Sequence, residues 1–136
     1  MPPETELVIL PDPLERAFKY LSRYYSSDVL STLRPTDAGE EFRVVLADVG
    51  GAGRQDVIWL DCWIMIEVYH IDSEQASLHA RRVEALMRQW PWAEGGVAHY
   101  RVLGRPVLET VLDREGLTCY TQTVAYRMRG QTEVLH

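Results

Sequence analysis

The stretch that most limits what this chain can fold into is Trp59–Tyr69, WLDCWIMIEVY, with Ile58 before it. Read with the two-residue period of a β-strand, Ile58, Leu60, Cys62, Ile64, Ile66 and Val68 form one wholly apolar row. Trp59, Asp61, Trp63, Met65, Glu67 and Tyr69 form the other. The first row requires a core. The second sets two indoles and a phenol among carboxylates, too apolar for open water and too charged for an interior, so it calls for a cover.

Two helices can supply the core for the first row. Pro11-Asp12-Pro13 offers an N-cap aspartate and a proline at the first helical position, after which Leu14, Phe18, Leu21 and Tyr25 recur at helical spacing; the pattern predicts a helix to about Ser27. Asp72 with Gln75 resembles a capping box, and Ala76, Ala80, Val83, Met87 and Trp90 form the stripe of a second helix that Pro91 should end. Glu15 with Lys19, and Glu84 with Arg88, lie four apart on the outer faces, which marks those faces as solvated.

The remaining segments read as strands. Phe42–Val49 and Val57–Tyr69 flank Gly50-Gly-Ala-Gly-Arg-Gln-Asp56, a pliant connection suited to an antiparallel hairpin. Val97–Leu103, Val107–Leu112 and Leu117–Met128 follow, the last two joined at a turn in Asp113-Arg-Glu-Gly116. Residues 28–41 read as a loop. The first eleven residues form an N-terminal arm, and Gly130–His136 a loose C-terminal tail. The expectation is one α+β domain over residues 1–136: a mainly antiparallel sheet of about five strands with two amphipathic helices packed on one face.

Charge narrows the function classes. A formal net charge of −6 argues against a nucleic-acid footprint or attraction to anionic lipid. The N-terminal LVIL run is far short of a signal sequence, and no segment nears the roughly 20 apolar residues of a membrane span, so a soluble intracellular product without membrane partners is expected. Cys62 and Cys119 form no CxxC pattern and read as small buried hydrophobes rather than a disulfide or zinc framework.

No pattern supports catalysis. Gly50-Gly-Ala-Gly53 is followed by Arg-Gln where a phosphate loop needs Lys-Ser/Thr. Asp61 and Glu67 stand six strand positions apart, about 20 Å, too far for one reaction centre. His70, Asp72 and His79 could converge as a metal site, the basis of a hydrolase alternative, but they match no ligand spacing; a capping aspartate with two bystander histidines is the plainer reading. Catalytic residues, metal ligands and cofactors are therefore expected to be none. The second row remains: Trp59, Trp63, Met65 and Tyr69 are residue types enriched at subunit interfaces, and they are the predicted adhesive surface. The Gly50, Gly51, Gly53, Arg54 loop is expected to reach toward a neighbour or a partner.

An N-terminal amphipathic helix, FRVVLADVGG ending in paired glycines, VIWLDCW, the Ala-rich DSEQASLHARRVEALM and the closing TCYTQTVAYRMRG together resemble the tail terminator proteins of long-tailed phages, especially those of actinobacterial hosts. The resemblance spans about residues 12–130, and Leu103–Glu115 departs from it. The 13 arginines against one lysine fit a GC-rich host. The resemblance implies a structural virion protein, six to a ring, at the head–tail junction and assembled in the host cytoplasm. Such a ring stops tail-tube polymerisation, contacts the tail tube protein and docks to a head-completion (connector) protein. DNA would pass its lumen without specific binding, helped by acidic residues. A head-completion or stopper adaptor is the nearest alternative.

Overall fold

The period-two run becomes the central strand of a six-stranded sheet. In the computed structural model, residues 5–33, 35, 42–54, 58–109 and 116–135 are described. Their elements are β1 (Thr5–Ile9), α1 (Pro13–Leu21), β2 (Leu30–Ser31), β3 (Phe42–Asp48), β4 (Gly53–Arg54), β5 (Trp59–His70), α2 (Ser73–Ala93), β6 (Val97–Glu109), β7 (Thr118–Arg129) and β8 (Gln131–Leu135). The large sheet has the order β2-β3-β5-β7-β6, with β4 also on β5. Its pairs are antiparallel except for β2 with β3. The expected α+β architecture is present, with more strands than the five anticipated.

Both helices lie on the face that carries the apolar row. Cys62, Ile64, Ile66 and Val68 of β5 pack with Val44 and Leu46 of β3 and Val124, Tyr126 and Met128 of β7, under Ala17, Tyr20 and Leu21 of α1 and Ala80, Val83, Met87 and Trp90 of α2. Ile64 and Ile66 are fully buried, worth about 2 kcal/mol each by area. Asp12 caps α1, accepting the Leu14 and Glu15 amides, and Asp72 caps α2, accepting those of Glu74 and Gln75. Among the described residues, no helix is long and apolar enough to cross a membrane.

Four local expectations are corrected. α1 stops at Leu21 rather than near Ser27, because the Ser22 hydroxyl turns back to the Lys19 carbonyl at 2.7 Å and the chain enters turns; Tyr25 still packs against the core. Pro91 does not end α2, which continues to Ala93. Proline has no N–H for the carbonyl four residues back, that of Met87, and the Tyr126 hydroxyl donates to this oxygen instead; Tyr20 holds the adjacent Leu86 carbonyl at 2.6 Å. The two strands expected at Val97–Leu103 and Val107–Leu112 are, as far as Glu109, one strand, β6, with three register shifts against β7; residues 110–112 lie outside the described ones. The turn proposed at Asp113–Gly116 lies, apart from Gly116, outside the described residues.

The fourth correction concerns the chain ends. Rather than hanging loose, Gln131–Leu135 pairs antiparallel with Thr5–Ile9 as a separate two-stranded ribbon. Its root is fixed where the Gly130 amide donates to the Ile58 carbonyl at 2.7 Å. A Cβ at Gly130 would come within 2.8 Å of the Ile9 carbonyl oxygen, so only glycine permits this approach.

Candidate assembly surface

The second row of β5 faces away from the helices, and the structure divides it. Trp63 is 39% exposed, while Trp59 and Met65 are half-buried. Tyr69 is not part of an exposed patch: it is 2% exposed, packed with Val45 and Cys119 in a second small cluster. Its hydroxyl donates to Glu67, itself 3% exposed, at 3.0 Å, and burial pushes its phenol pKa up. Tyr69 is thus sealed by its own chain and has no surface to offer a neighbour. Sequence reasoning missed this because Val45 and Cys119 reach Tyr69 only through strand pairing, Cys119 directly opposite it.

At the other end of the row, Asp61 pairs with Arg127 across the strands through two hydrogen bonds, 2.7 and 3.2 Å. This bond to Arg127 holds the Asp61 carboxyl below its ordinary range. Beside the pair, Trp63, His99, Arg101 and Ala52 border a depression of about 450 Å3. His99 has φ 55°, left-handed and unusual for a non-glycine residue. It stands at the first register shift of β6. The extra residue there lets Tyr100 turn to the helix side, where its hydroxyl donates to Glu84 at 3.3 Å.

The glycine loop lies back on its own strand. Gly51 approaches β5 so closely that a Cβ would stand 2.9 Å from the Cys62 Cα, and its φ of 103° is one only glycine adopts without strain. Gly50 accepts the Trp63 amide, Gly53 and Arg54 pair with Asp61 and Leu60, and Arg54 donates to the Val8 carbonyl of the ribbon. The loop therefore joins the sheet and ribbon instead of projecting as a free tether.

Several groups that could carry chemistry make structural contacts among the described residues. His70 Nδ1 accepts the Asp72 amide, Asp72 caps α2, and His79 Nδ1 is 3.1 Å from the Tyr25 hydroxyl. Burial lowers the His79 pKa, aided by Arg82 and His70, so its ring is held neutral. Burial pushes the Cys62 thiol up to about 12, which removes its nucleophilic character. Among the described residues, one group of three possible metal donors converges: Glu67, Glu109 and Cys119, with ligand atoms within 4.8 Å. Hydrogen bonds from Tyr69 to Glu67 and from Cys119 to Glu109 already account for that cluster.

No protein-family profile matches the chain, and no curated protein matches it by sequence. Among solved structures it is similar to a chain from the virion of a native gene transfer agent particle. The TM-score is 0.56 at 12% identity, over 86% of this chain and 92% of that one. At that identity the likeness is one of fold, and it extends over nearly the whole of both chains. The α+β fold of this protein is thus one that a virion component also uses.

Surface features that the sequence reading passed over lie elsewhere. Leu7, Ile9, Val134 and Leu135 of the ribbon are exposed, as are Leu103, Val107 and Leu108 of β6, and Trp92 beyond Pro91 is 89% exposed. The short apolar, β-branched run Leu7–Ile9 was a signal available in the sequence. Its pairing partner, at the other end of the chain, was not.

Proposed function

We propose that this chain is a non-enzymatic structural protein of a virion, a tail terminator whose subunits, six to a ring, cap the head-proximal end of a tail tube and dock to a head-completion protein. The observation that carries the reading is the correspondence of fold, over nearly the full length of both chains, with a virion subunit. The resemblance of the FRVVLADVGG, VIWLDCW and DSEQASLHARRVEALM segments to tail terminators supports the finer assignment. In keeping with it, His70 and Asp72 serve the cap of α2, Asp61 a cross-strand pair and Cys62 the core.

In this reading Trp63, flanked by Trp59 and Met65, contacts an adjacent subunit, with the His99–Arg101 rim beside it. The net charge of −6 suits a lumen that repels DNA phosphates and lets the duplex pass. Negative-stain images of the purified chain should contain annular particles with a duplex-sized hole, and mixing with tail tubes should give tubes capped at one end. Trp63→Asp should leave a folded monomer and abolish the annuli. A chain that binds the portal side and ignores tube ends would instead be the head-completion adaptor, and a ring with a basic lumen would refute the proposed role of charge.

A further inference from the structure

The β1–β8 ribbon is an anomaly of stability. A two-stranded ribbon in water is marginal, and three strands or a packed face are normally needed to hold one. Here one face, set by the pairing Thr5↔Leu135 and Leu7↔Glu133, presents Leu7, Ile9 and Leu135 together, all exposed. That face carries Glu133; Glu6, paired with Val134, points to the opposite face, and the ribbon has no cation.

A second apolar surface sits at the far end of the molecule. The distal half of β6 is an apolar edge that exposes Leu103, Val107 and Leu108, the last two toward opposite faces of the sheet, interleaved with the exposed cations Arg101 and Arg105. The carboxylate of Glu109, which follows, accepts from Cys119. Among the described residues β6 pairs with β7 alone, which leaves its outer edge open, yet Pro106 and three register shifts make that edge unfit for a continuous backbone ladder. Its side chains, rather than its amides, are what it can offer a partner.

The two surfaces cannot meet within one chain. The ribbon springs from the Arg129 end of β7 and its strands have five residues each, about 17 Å, while Val107 and Leu108 pair with Thr121 and Tyr120, eight and nine steps or about 26–30 Å from that end. One surface is acidic and apolar, the other basic and apolar. We propose that the ribbon of one copy lies on distal β6 of the next, beside Trp63, which shares the sheet face of Arg101 and Val107, so that the subunits join head to tail through two different patches. Such a contact is heterologous and closes into a ring when the rotation permits. The inference rests on the ring reading for closure alone, and the contact itself is tested without tail tubes.

Two double variants separate the patches: Leu7→Asp with Leu135→Asp disables the ribbon, and Val107→Asp with Leu108→Asp disables β6. All four positions are exposed, so each variant should keep the far-UV circular dichroism of the unmodified chain. In sedimentation velocity the unmodified chain should form a closed oligomer and each variant a monomer. An equal mixture of the two should give a species of twice the monomer mass and nothing larger, since each pair keeps one intact contact and two dead ends. The proposal is overturned if either variant assembles like the unmodified chain, if the mixture stays monomeric, or if the unmodified chain is itself monomeric. Should a double variant unfold, Glu133→Arg and Arg105→Glu replace it: each alone should weaken assembly and the two combined in one chain should restore it, and failure of that rescue overturns the proposal equally. Rings that depend on these patches but leave tube ends uncapped would sink the tail terminator reading while the contact stands; capped tubes indifferent to them would do the reverse.

Discussion

Tyr126→Phe should expose how this fold tolerates a proline in its longest helix. Pro91 lacks the N–H that would bond the Met87 carbonyl, and the Tyr126 hydroxyl donates to that oxygen from β7. Burial raises the Tyr126 pKa, so the hydroxyl stays protonated and available as a donor. The ring itself meets Trp90 edge-on at 4.9 Å, a contact that phenylalanine keeps. Losing the hydroxyl therefore isolates one effect, a buried carbonyl left without a donor, which costs about 1–3 kcal/mol. In urea, with a slope of about 2 kcal/mol per molar, that moves the midpoint down by roughly 1 M. The decisive arm is the same substitution in a Pro91→Ala background. Residue 91 then supplies its own N–H, Met87 regains a helical partner, and the cost of Tyr126→Phe should fall to about 0.5–1 kcal/mol. Equal losses in both backgrounds would refute the account.

Two further outcomes test the local chemistry. Gly51→Ala should destabilise the fold more than Gly50→Ala: both glycines have positive φ, a strain of about 1–2 kcal/mol for alanine, but only at Gly51 does the new Cβ also strike β5 backbone. Equal urea midpoints for the two would contradict the close approach. Stability should also fall in two stages with acid. The His79 pKa is depressed in the fold, so the unfolded chain binds the proton first and stability declines as pH drops below 6.5; Asp61 is likewise depressed, so its contribution is present above 3.8 and is lost as pH falls through its folded value. His79→Gln should abolish the upper stage and leave the lower one.

The elements legible in the sequence were those whose causes are local. Asp12 and Asp72 cap helices because of amides two and three residues on, and the Ala76–Trp90 stripe packs because helical spacing alone puts it on one face. The apolar row of β5 was read correctly for the same reason. What escaped the reading was decided by distant chain. Tyr69 is buried by strands on either side, Pro91 is excused by a hydroxyl from β7, and the C-terminal residues acquire structure only by meeting the N-terminal ones. In β6 the apolar alternation breaks at His99 and again around Gly104, which reads as two strands but is one strand bent by bulges. Of the row expected to face a neighbour, Trp63 is exposed and Trp59 and Met65 are half-buried, whereas Tyr69 is enclosed by its own chain.

Salt separates the forces that would join ribbon to β6. The charged members, Glu133 against Arg101 and Arg105, are all exposed, and exposed pairs contribute only about 0.2–1 kcal/mol each before screening. Leu7, Ile9 and Leu135 against Leu103, Val107 and Leu108 offer six partly exposed apolar side chains, whose burial scales with area at about 25 cal/mol per Å2 and is not weakened by screening. The apolar term should therefore hold the contact and the charges should select its partner. Ribbon against ribbon by that face would bring the two Glu133 carboxylates together, whereas ribbon against β6 opposes unlike charges, which favours the directional arrangement over a twofold one. At 1 M salt, where the screening length is about 3 Å, oligomers should persist while assembling more slowly. Complete dissociation at that salt would mean that the charges, not the apolar side chains, carry the association.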